Sequence, residues 1–459
     1  RRSRNFIRPI KSMKFIETLK NVWKIEELRN RIVVTLGLLL VYRFGAQVVL
    51  PGIDAAQLGG LQDSTDQGIL GLLNAFTGGA FANASVFALG IMPYISASIV
   101  VQLMGIAIPY LQKLQKEGAS GQKKVNQITR WLTIAICLVQ APGYLASLPA
   151  LGIPQSAFLL GQGGLFYFSS VVILVTGCIF AMWLGEKITD KGIGNGISLL
   201  IMVGIIATLP QSFIQNAASR LEGNNVMLIL FELVIWFVII LASIMLVMAV
   251  RRIAVQYARR TASGGYEKNV MGSRQYIPLK LNASGVMPII FAQAIMFVPS
   301  LIGGSSFMKD STAGAWMQAQ FSDIFGFWYN LVFALLIIVF TYFYTAITVP
   351  TNKMADDLKR SGGFIPGIRP GSETSEYLDK IMSQITLPGS IFLALIAVFP
   401  AFIVKLMNVQ SGWALFFGGT SLLIMVGVAI DTMQQINSYL LNRHYDGLMK
   451  TCKNRKAVA

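Results

Sequence analysis

Residues that could carry catalytic or metal chemistry are few in this chain. His444 is the one histidine among 459 residues, and the three cysteines are Cys137, Cys178 and Cys452. An odd number of widely spaced cysteines predicts neither a disulfide framework nor a zinc site. The segment Gly192-Ile-Gly-Asn-Gly196 resembles a phosphate loop but lacks its lysine. We therefore expect no enzyme, whether soluble or intramembrane, no nucleotide site, no metal and no cofactor.

The composition is typical of an integral membrane protein. Apolar residues make up 54% of the chain and charged residues only 13%, whereas an ordinary soluble protein carries about 25% charged residues. So little charge cannot cover the surface of a soluble protein of this size. We expect no cleavable signal peptide, because residues 1–31 are too basic and the first apolar run is too long.

The apolar residues are grouped into runs that match the thickness of a bilayer, which a helix of about 20 residues crosses. Backbone amides in lipid must be satisfied within the segment, so each run is expected to be helical. The sequence therefore predicts an all-α, polytopic membrane protein. Its ten transmembrane helices are expected at Ile32–Leu50, Ala84–Ile108, Trp131–Leu148, Leu165–Leu184, Ile197–Leu209, Val226–Val250, Ser284–Ile302, Phe327–Val349, Leu387–Val404 and Trp413–Met433.

Lysine and arginine are distributed very unevenly between the two sides of these spans. The N-terminal segment 1–31, the loops after the even-numbered spans and the C-terminal tail 434–459 together hold 34 of the 38 basic residues. Basic residues accumulate in cytoplasmic loops. Both termini are therefore predicted to be cytoplasmic, together with the large loops 251–283 and 350–386.

Ten spans divide naturally into two halves of five, at residues 32–209 and 210–433. Because five is odd, the second half would begin on the opposite side of the membrane from the first. Such an arrangement permits an inverted repeat, as in many transport folds. This expectation depends on counting spans and not on sequence identity between the halves.

A glycine-rich apolar stretch, about residues 68–83, separates the first two spans. It is too short to cross a bilayer. Two structures are compatible with its composition. One is a re-entrant helix buried within the protein, where irregular backbone at membrane depth is tolerated. The other is an interfacial helix, and composition does not decide between them.

Ionisable residues within the predicted spans are Arg43, Glu232 and Asp431. One function to consider is a secondary transporter coupled to protons or ions. Such a transporter commonly uses a relay of ionisable residues near the membrane centre. These three are too sparse for a relay. We expect Arg43 to pair locally or to face an aqueous cavity. The lining of any pathway should be mostly apolar.

Five motifs resemble the SecY family, the central subunit of the bacterial protein-translocation channel. They occur in the family's order and lie in segments spread over nearly the whole chain. The motifs are Phe87–Ile99 (FALGIMPYISASI), Trp183–Ser198 (WLGEKITDKGIGNGIS), Pro278–Pro288 (PLKLNASGVMP), Phe364–Gly371 (FIPGIRPG) and Gly418–Ile424 (GGTSLLI).

This resemblance implies a channel for unfolded secretory proteins that also releases membrane helices sideways into lipid. A narrow apolar ring and a short plug helix would seal the resting channel. In this sequence the ring would comprise Ile91, Ile95, Ile197, Ile201, Ile290 and Ile424. The plug, residues 68–83, would include Leu72, Leu73, Phe76, Gly78 and Gly79.

The resemblance also implies an exit to lipid and several partners. Candidates for the lining of the lateral gate are Ser96, Gln102 and Val298. Partners would be the SecE and SecG subunits, the SecA motor, the ribosome, precursor proteins bearing signal sequences, and lipid of the bacterial inner membrane. Candidates for docking a cytoplasmic partner are Arg259, Arg260, Lys268 and Arg369.

Two segments depart from the family's pattern. That pattern begins near Met13, so residues 1–12, with five basic residues, are predicted to be an extension. The loop after the sixth span keeps Arg259 and Arg260 but continues with Thr-Ala-Ser-Gly-Gly-Tyr-Glu-Lys268, where many relatives have more arginine. The resemblance therefore gives the least support to contacts assigned to this part of the loop.

The predicted topology is testable by labelling single introduced cysteines with a membrane-impermeant maleimide. Cysteines near Lys123 and Lys268 should react only from the cytoplasmic side, and a cysteine near Asp63 only from outside. The expectation follows from the distribution of basic residues. The reverse labelling pattern would contradict it.

Overall fold

The part of the chain that the structure describes is almost entirely helical. In this computed structural model the described backbone comprises residues 23, 25–59, 68–149, 153–158, 163–223, 226–257, 274–283, 285–304, 316, 319–321, 323–407 and 409–456. All structural statements below refer to these residues.

The first half of the chain forms a series of helices that alternate with short turns. In chain order these are α1 (Glu26–Gly45), α2 (Gly68–Thr77), α3 (Met92–Ala107), α4 (Pro109–Lys116), α5 (Ala119–Ser147), α6 (Gly164–Lys191) and α7 (Gly196–Glu222). Asn195 caps α7, because its side chain accepts a hydrogen bond from the amide of Ile197 at 3.1 Å.

The second half adds further helices and three short strands. In chain order these are α8 (Val226–Met248), β1 (Val250–Tyr257), β2 (Arg274–Lys280), α9 (Met287–Gly304), α10 (Phe327–Thr348), α11 (Thr351–Arg360), β3 (Gly363–Phe364), α12 (Ser372–Met407), α13 (Ser411–Ala414) and α14 (Gly419–Lys456).

Each of the ten apolar runs predicted from the sequence overlaps at least one of these helices. Among the described residues, seven helical segments are long and apolar enough to cross a membrane. These seven include α5, α6, α7, α8 and α12. The helical membrane bundle is therefore confirmed, while the count of ten spans stays a prediction, because α1, α3 and α9 are not among the seven.

The second predicted span differs from the structure at its start. We expected a helix from Ala84, but the chain runs through turns as far as Ile91, and α3 begins at Met92. Pro93 stands in the first turn of α3. Proline lacks an N–H and fits a first helical turn, so it marks the start of a helix and not its middle.

The fifth span is longer than predicted. Helix α7 continues beyond Leu209 to Glu222, although Pro210 lies inside it. A proline within a helix removes one backbone hydrogen bond and bends the axis without necessarily ending the helix. Pro210 therefore divides α7 into two segments of one continuous helix.

A three-stranded antiparallel sheet, which the sequence analysis did not predict, lies in the loops 251–283 and 350–386. β1 pairs with β2 from Val250 opposite Lys280 to Gln256 opposite Arg274. The other edge of β1 pairs with β3. Apolar side chains of the sheet pack on the first turns of α12. The described residues of these two loops thus pack on a helix that continues into the bundle.

Helix α7 contacts many other helices and packs against α1, α2, α6, α8 and α14. Its approach to α6 depends on glycine: a methyl group added at Gly196 would stand 2.0 Å from the carbonyl oxygen of Gly185. Small residues let membrane helices pack backbone to backbone. The position of α7 is thereby fixed closely against its neighbour.

Candidate functional site

Five of the six isoleucines predicted for the ring line one small cavity at the meeting point of four helices. Ile91 and Ile95 come from the start of α3, Ile201 from α7, Ile290 from α9 and Ile424 from α14. The remaining lining residues are Phe76, Met92, Ser96 and Gln293. We call this space the isoleucine cavity.

The isoleucine cavity is very small. Its volume is about 20 Å³, whereas a cavity needs roughly 10–15 Å³ to admit one water molecule, which also requires polar partners. Ile91, Ile201 and Ile424 are all buried. The amide of Gln293 is already engaged, since its Nε2 donates to the hydroxyl of Tyr329 at 3.3 Å. The cavity is therefore a place where a continuous file of water cannot form.

Ile197 is not among the residues that line the isoleucine cavity. It lies one turn before Ile201 on α7, close to α6, and a methyl group added at Gly185 would stand 2.9 Å from its Cγ1. Residues four apart share a helix face, but here only the second member of the pair lines the cavity.

Helix α2 closes one side of the isoleucine cavity. Phe76 is buried and contributes to the cavity lining, and the helix packs on α7. Leu73 is partly buried. The side chain of Leu72 lies outside the described residues. Burial of this face distinguishes α2 from a helix that lies at the membrane surface with its apolar side in lipid.

Gly78 and Gly79 form the turn that ends α2. Their φ angles are +68° and +86°, in the left-handed region that glycine adopts readily. Gly78 also meets Gly204 of α7 backbone to backbone, because a methyl group added at Gly78 would stand 2.8 Å from the Cα of Gly204. A side chain at Gly78 would push α2 away from α7, whereas at Gly79 a side chain would strain only the left-handed backbone.

Polar groups hold the same turn. Arg43, in the last turn of α1, donates from Nη1 to the carbonyl oxygen of Gly78. The Oδ1 of Asn74 accepts from the amide of Ala82 at 3.1 Å. As expected from the sequence, Arg43 pairs locally. These bonds fix the C-terminal end of α2 to α1 and to the loop that follows it.

The opposite face of α2 borders a larger, polar cavity of about 300 Å³. Arg43, Asn74 and Gly78 all contribute to its lining, so Arg43 faces this cavity as well as bonding to α2. Other polar residues around it are Gln47, Asn83, Thr208, Gln211, Ser212 and Gln215. Helix α2 therefore separates a polar cavity from the apolar isoleucine cavity.

The candidates for the lateral gate are not gathered at one point. Ser96 lines the isoleucine cavity. Gln102 lies farther along α3, where its Nε2 donates to the hydroxyl of Ser98 at 3.2 Å. The side chain of Val298, on α9, lies outside the described residues.

Arg369 is the docking candidate that the structure describes, whereas Arg259, Arg260 and Lys268 lie outside the described residues. Arg369 is on the turn between β3 and α12, and its side chain is 89% exposed. Its Nη1 is 3.7 Å from Oε1 of Glu373, a weak exposed ion pair. The guanidinium is available to a partner.

Two residues of this region were missed in the sequence analysis. Gly204 contacts the turn of α2, and Gln293 lines the isoleucine cavity. Gln293 is a polar residue inside a predicted span, which is a signal that could have been used. A glycine in an apolar run gives no comparable signal, because membrane helices contain many glycines.

Known proteins resemble this chain in sequence and in fold. The sequence pattern of the SecY family matches residues 85–433. Protein translocase subunit SecY of Escherichia coli (strain K12) is 39% identical over 430 residues, which cover 92% of this chain and 94% of that protein.

Solved structures show the same fold at lower sequence identity. One, described for a SecY protein whose plug domain stabilises the closed channel and maintains a membrane seal, has a TM-score of 0.60 at 18% identity and covers 93% of this chain and 97% of that one. Another, Sec61 in a canine ribosome–channel complex, has a TM-score of 0.55 at 18% identity with the same coverage. The sequence match over most of both chains shows that this multi-pass integral membrane protein belongs to the SecY family.

Proposed function

We propose that this protein is the channel-forming subunit of a bacterial protein translocase, that polypeptides cross through the isoleucine cavity, and that the cavity seals the resting channel. The observation that carries the proposal is a very small cavity lined by isoleucines from four helices. Its surroundings are asymmetric, with α2 standing between it and a polar cavity of about 300 Å³. This arrangement suits a path that is closed at one narrow point.

An apolar closure answers a conflict that any protein-conducting channel faces. Moving one elementary charge across 100 mV releases about 2.3 kcal/mol, so an open aqueous pore would dissipate the membrane potential. Narrow hydrophobic constrictions exclude ions because water leaves them. Isoleucine offers no hydrogen bond that would select one passing sequence over another. The ring can therefore be impermeable at rest and indifferent to the polypeptide.

Helix α2 is the proposed plug, within the segment 68–83. Its burial against α7 supports a re-entrant plug over the interfacial helix that composition also allowed. Opening would require the turn at Gly78 to leave Gly204 and the carbonyl of Gly78 to leave Arg43. Ile197, one turn from the cavity, stays a prediction as a ring member.

Lateral release into lipid is proposed between the two halves, residues 32–209 and 210–433. Ile95 of α3 and Ile290 of α9 line one cavity, so these two helices face each other there. A Leu-like residue at a helix centre gains roughly 0.3–0.6 kcal/mol on insertion, and ten of them about 3–6 kcal/mol. A seam here, near Ser96, Gln102 and Val298, would let a sufficiently apolar segment partition into lipid.

The driving force is assigned to partners. We propose that the basic loops, ordered in part by the sheet on α12, bind the SecA motor or a ribosome, and that SecE and SecG complete the complex. The ribosome-bound state of the Sec61 relative supports the ribosome as a partner. The proposed location is the bacterial inner membrane, with the segment 1–31 and the tail 434–459 cytoplasmic.

Charge reversal at Arg369 tests the docking role. Arg369→Glu should reduce motor-driven translocation at least about tenfold while the protein stays inserted, because a reversed charge repels an acidic partner surface. Initial rates of precursor uptake into vesicles measure the effect. Arg360→Glu, at the exposed end of the neighbouring helix α11, is the control and should transport nearly normally. Equal transport by Arg369→Glu and the parent would contradict docking at this residue.

Polar substitution in the isoleucine cavity tests the seal. Replacing Ile95 and Ile201 together by asparagine places hydrogen-bonding groups where water is excluded, so the cavity should hydrate. We expect the resting conductance in planar bilayers to rise at least about tenfold, which corresponds to about 1.4 kcal/mol of lost closed-state stability. Precursors with defective signal sequences should also be accepted.

Two controls separate polarity in the cavity from other effects. Leucine or valine at both positions keeps the apolar surface and should leave the channel tight. Asparagine at Ile347 and Ile391, which are exposed on α10 and α12, adds the same polar groups away from the cavity and should not produce conductance. An asparagine variant at Ile95 and Ile201 that is as tight as the parent would place the seal elsewhere, with the turn at Gly78 as the next candidate.

A further inference from the structure

A buried ion pair joins the end of α7 to α8, outside the site described above. Nη2 of Arg220 lies 3.0 Å from Oε1 of Glu232, and the two side chains are 13% and 1% exposed. Arg220 is in the last turn of α7, and Glu232 is in the second turn of α8. Ionisable residues inside membrane spans are costly and commonly functional.

The ion pair is part of a larger polar cluster. Asn216 donates from Nδ2 to Oε2 of Glu232 at 2.7 Å. Arg220 also donates to the carbonyl oxygen of Met407, the last residue of α12, at 2.6 Å. Oε1 of Glu232 faces the charge of Arg220 but, like Oδ1 of Asn216, accepts no hydrogen bond among the described residues. The cluster joins three helices.

Aromatic contacts hold the same segment of α7. Phe213 packs edge-on against Trp413 of α13, with ring centroids 5.1 Å apart. Trp236 of α8 donates from Nε1 to the carbonyl oxygen of Phe416 at 3.0 Å. The segment of α7 that follows Pro210 is thereby fixed to α8, α12 and α13.

The segment of α7 that precedes Pro210 has a different environment. It presents Ile201 to the isoleucine cavity and Gly204 to the turn of α2. Because α7 is one continuous helix across Pro210, displacing its far end also displaces these two residues. The backbone approach of Gly78 to Gly204 leaves little tolerance for such a displacement.

We propose that Arg220, Asn216 and Glu232 form an anchor that positions Ile201 and Gly204 for the resting seal. They are positioning residues, and the inference rests on the proposed function of α2 and the isoleucine cavity. The glycine contacts fix the segment of α7 before Pro210 against α6 and α2, and the polar cluster fixes the segment after it. A buried, charge-assisted cluster with several fixed partners has a directional geometry, so it specifies one position of α7.

The test removes the arginine and measures both the seal and the position of α2. Arg220→Met should raise the resting conductance of the purified channel in planar bilayers at least about tenfold, equivalent to about 1.4 kcal/mol. Cysteines at Ala75 and Ala207, which line one cavity, report the position of α2 through bismaleimide cross-linking, with the native cysteines replaced by alanine. Cross-linking should fall in Arg220→Met. Exchanging the charges, by Arg220→Glu with Glu232→Arg, should bring both the conductance and the cross-linking part of the way back to the parent values.

A control is the ion pair between Arg130 and Glu186, which joins α5 to α6 with Nε–Oε1 and Nη2–Oε2 distances of 3.0 and 2.5 Å. This pair is more exposed, with side chains 48% and 22% accessible, so Arg130→Met removes an interhelical arginine ion pair away from α7 and should leave conductance and cross-linking at the parent level. If Arg220→Met does not insert into the membrane, the same two measurements are made on Glu232→Gln instead. It preserves the volume of the side chain and removes the charge, and it should also raise conductance and lower cross-linking.

The outcomes separate the anchor from the proposed function. Suppose the folded Arg220 or Glu232 variant is as tight and as cross-linked as the parent, while asparagine at Ile95 and Ile201 produces conductance. The anchor is then overturned and the isoleucine seal stands. If the asparagine variant is also tight, the proposed seal itself fails, and the anchor fails with it.

Discussion

In the proposed channel, the arrangement of the helices depends on one constraint: water must be excluded at a single narrow point, the isoleucine cavity. A volume of about 20 Å³ among isoleucines meets this constraint, because so small an apolar space holds at most one poorly bound water molecule. The same isoleucines must separate when a polypeptide passes. The closure therefore has to be made by packing between separate helices, which can be reversed, and not by covalent or tightly bonded structure.

Helix α7 links the elements that meet this constraint. Its first segment carries Ile201 and the glycine that the turn of α2 approaches, and the glycine contact between Gly185 and Gly196 fixes it against α6. Beyond Pro210, the same helix is held by a buried polar cluster. Close backbone contact before Pro210 and polar bonding after it give α7 a defined position. From that position it contacts α2, the proposed plug.

The sequence was a good guide to the helices and a poor one to their contacts. Each predicted apolar run overlaps a helix, although the count of ten spans stays a prediction. Among the six isoleucines that the family resemblance selected, five meet in one cavity. The contact of Gly78 with Gly204 was not predictable, since it joins positions far apart in the chain that carry no polar signal. The pairing of Glu232 with Arg220 was missed because Arg220 lay outside the predicted span, which we ended before Pro210. Apolar residues at alternate positions, Ile253 and Val255, were a sequence signal for strand β1 that we did not use. Both side chains are buried.

The most direct measurement is photo-cross-linking of a precursor arrested halfway through the channel. A photoreactive phenylalanine derivative at position 95, 201 or 424 should cross-link to the arrested chain, and should not do so in the resting channel. The same probe at Leu335 or Ile391, which are exposed on the outside of the bundle, should give little cross-linking to a soluble segment of the precursor. Cross-linking at the outer positions without any at the isoleucine cavity would show that polypeptides take another path.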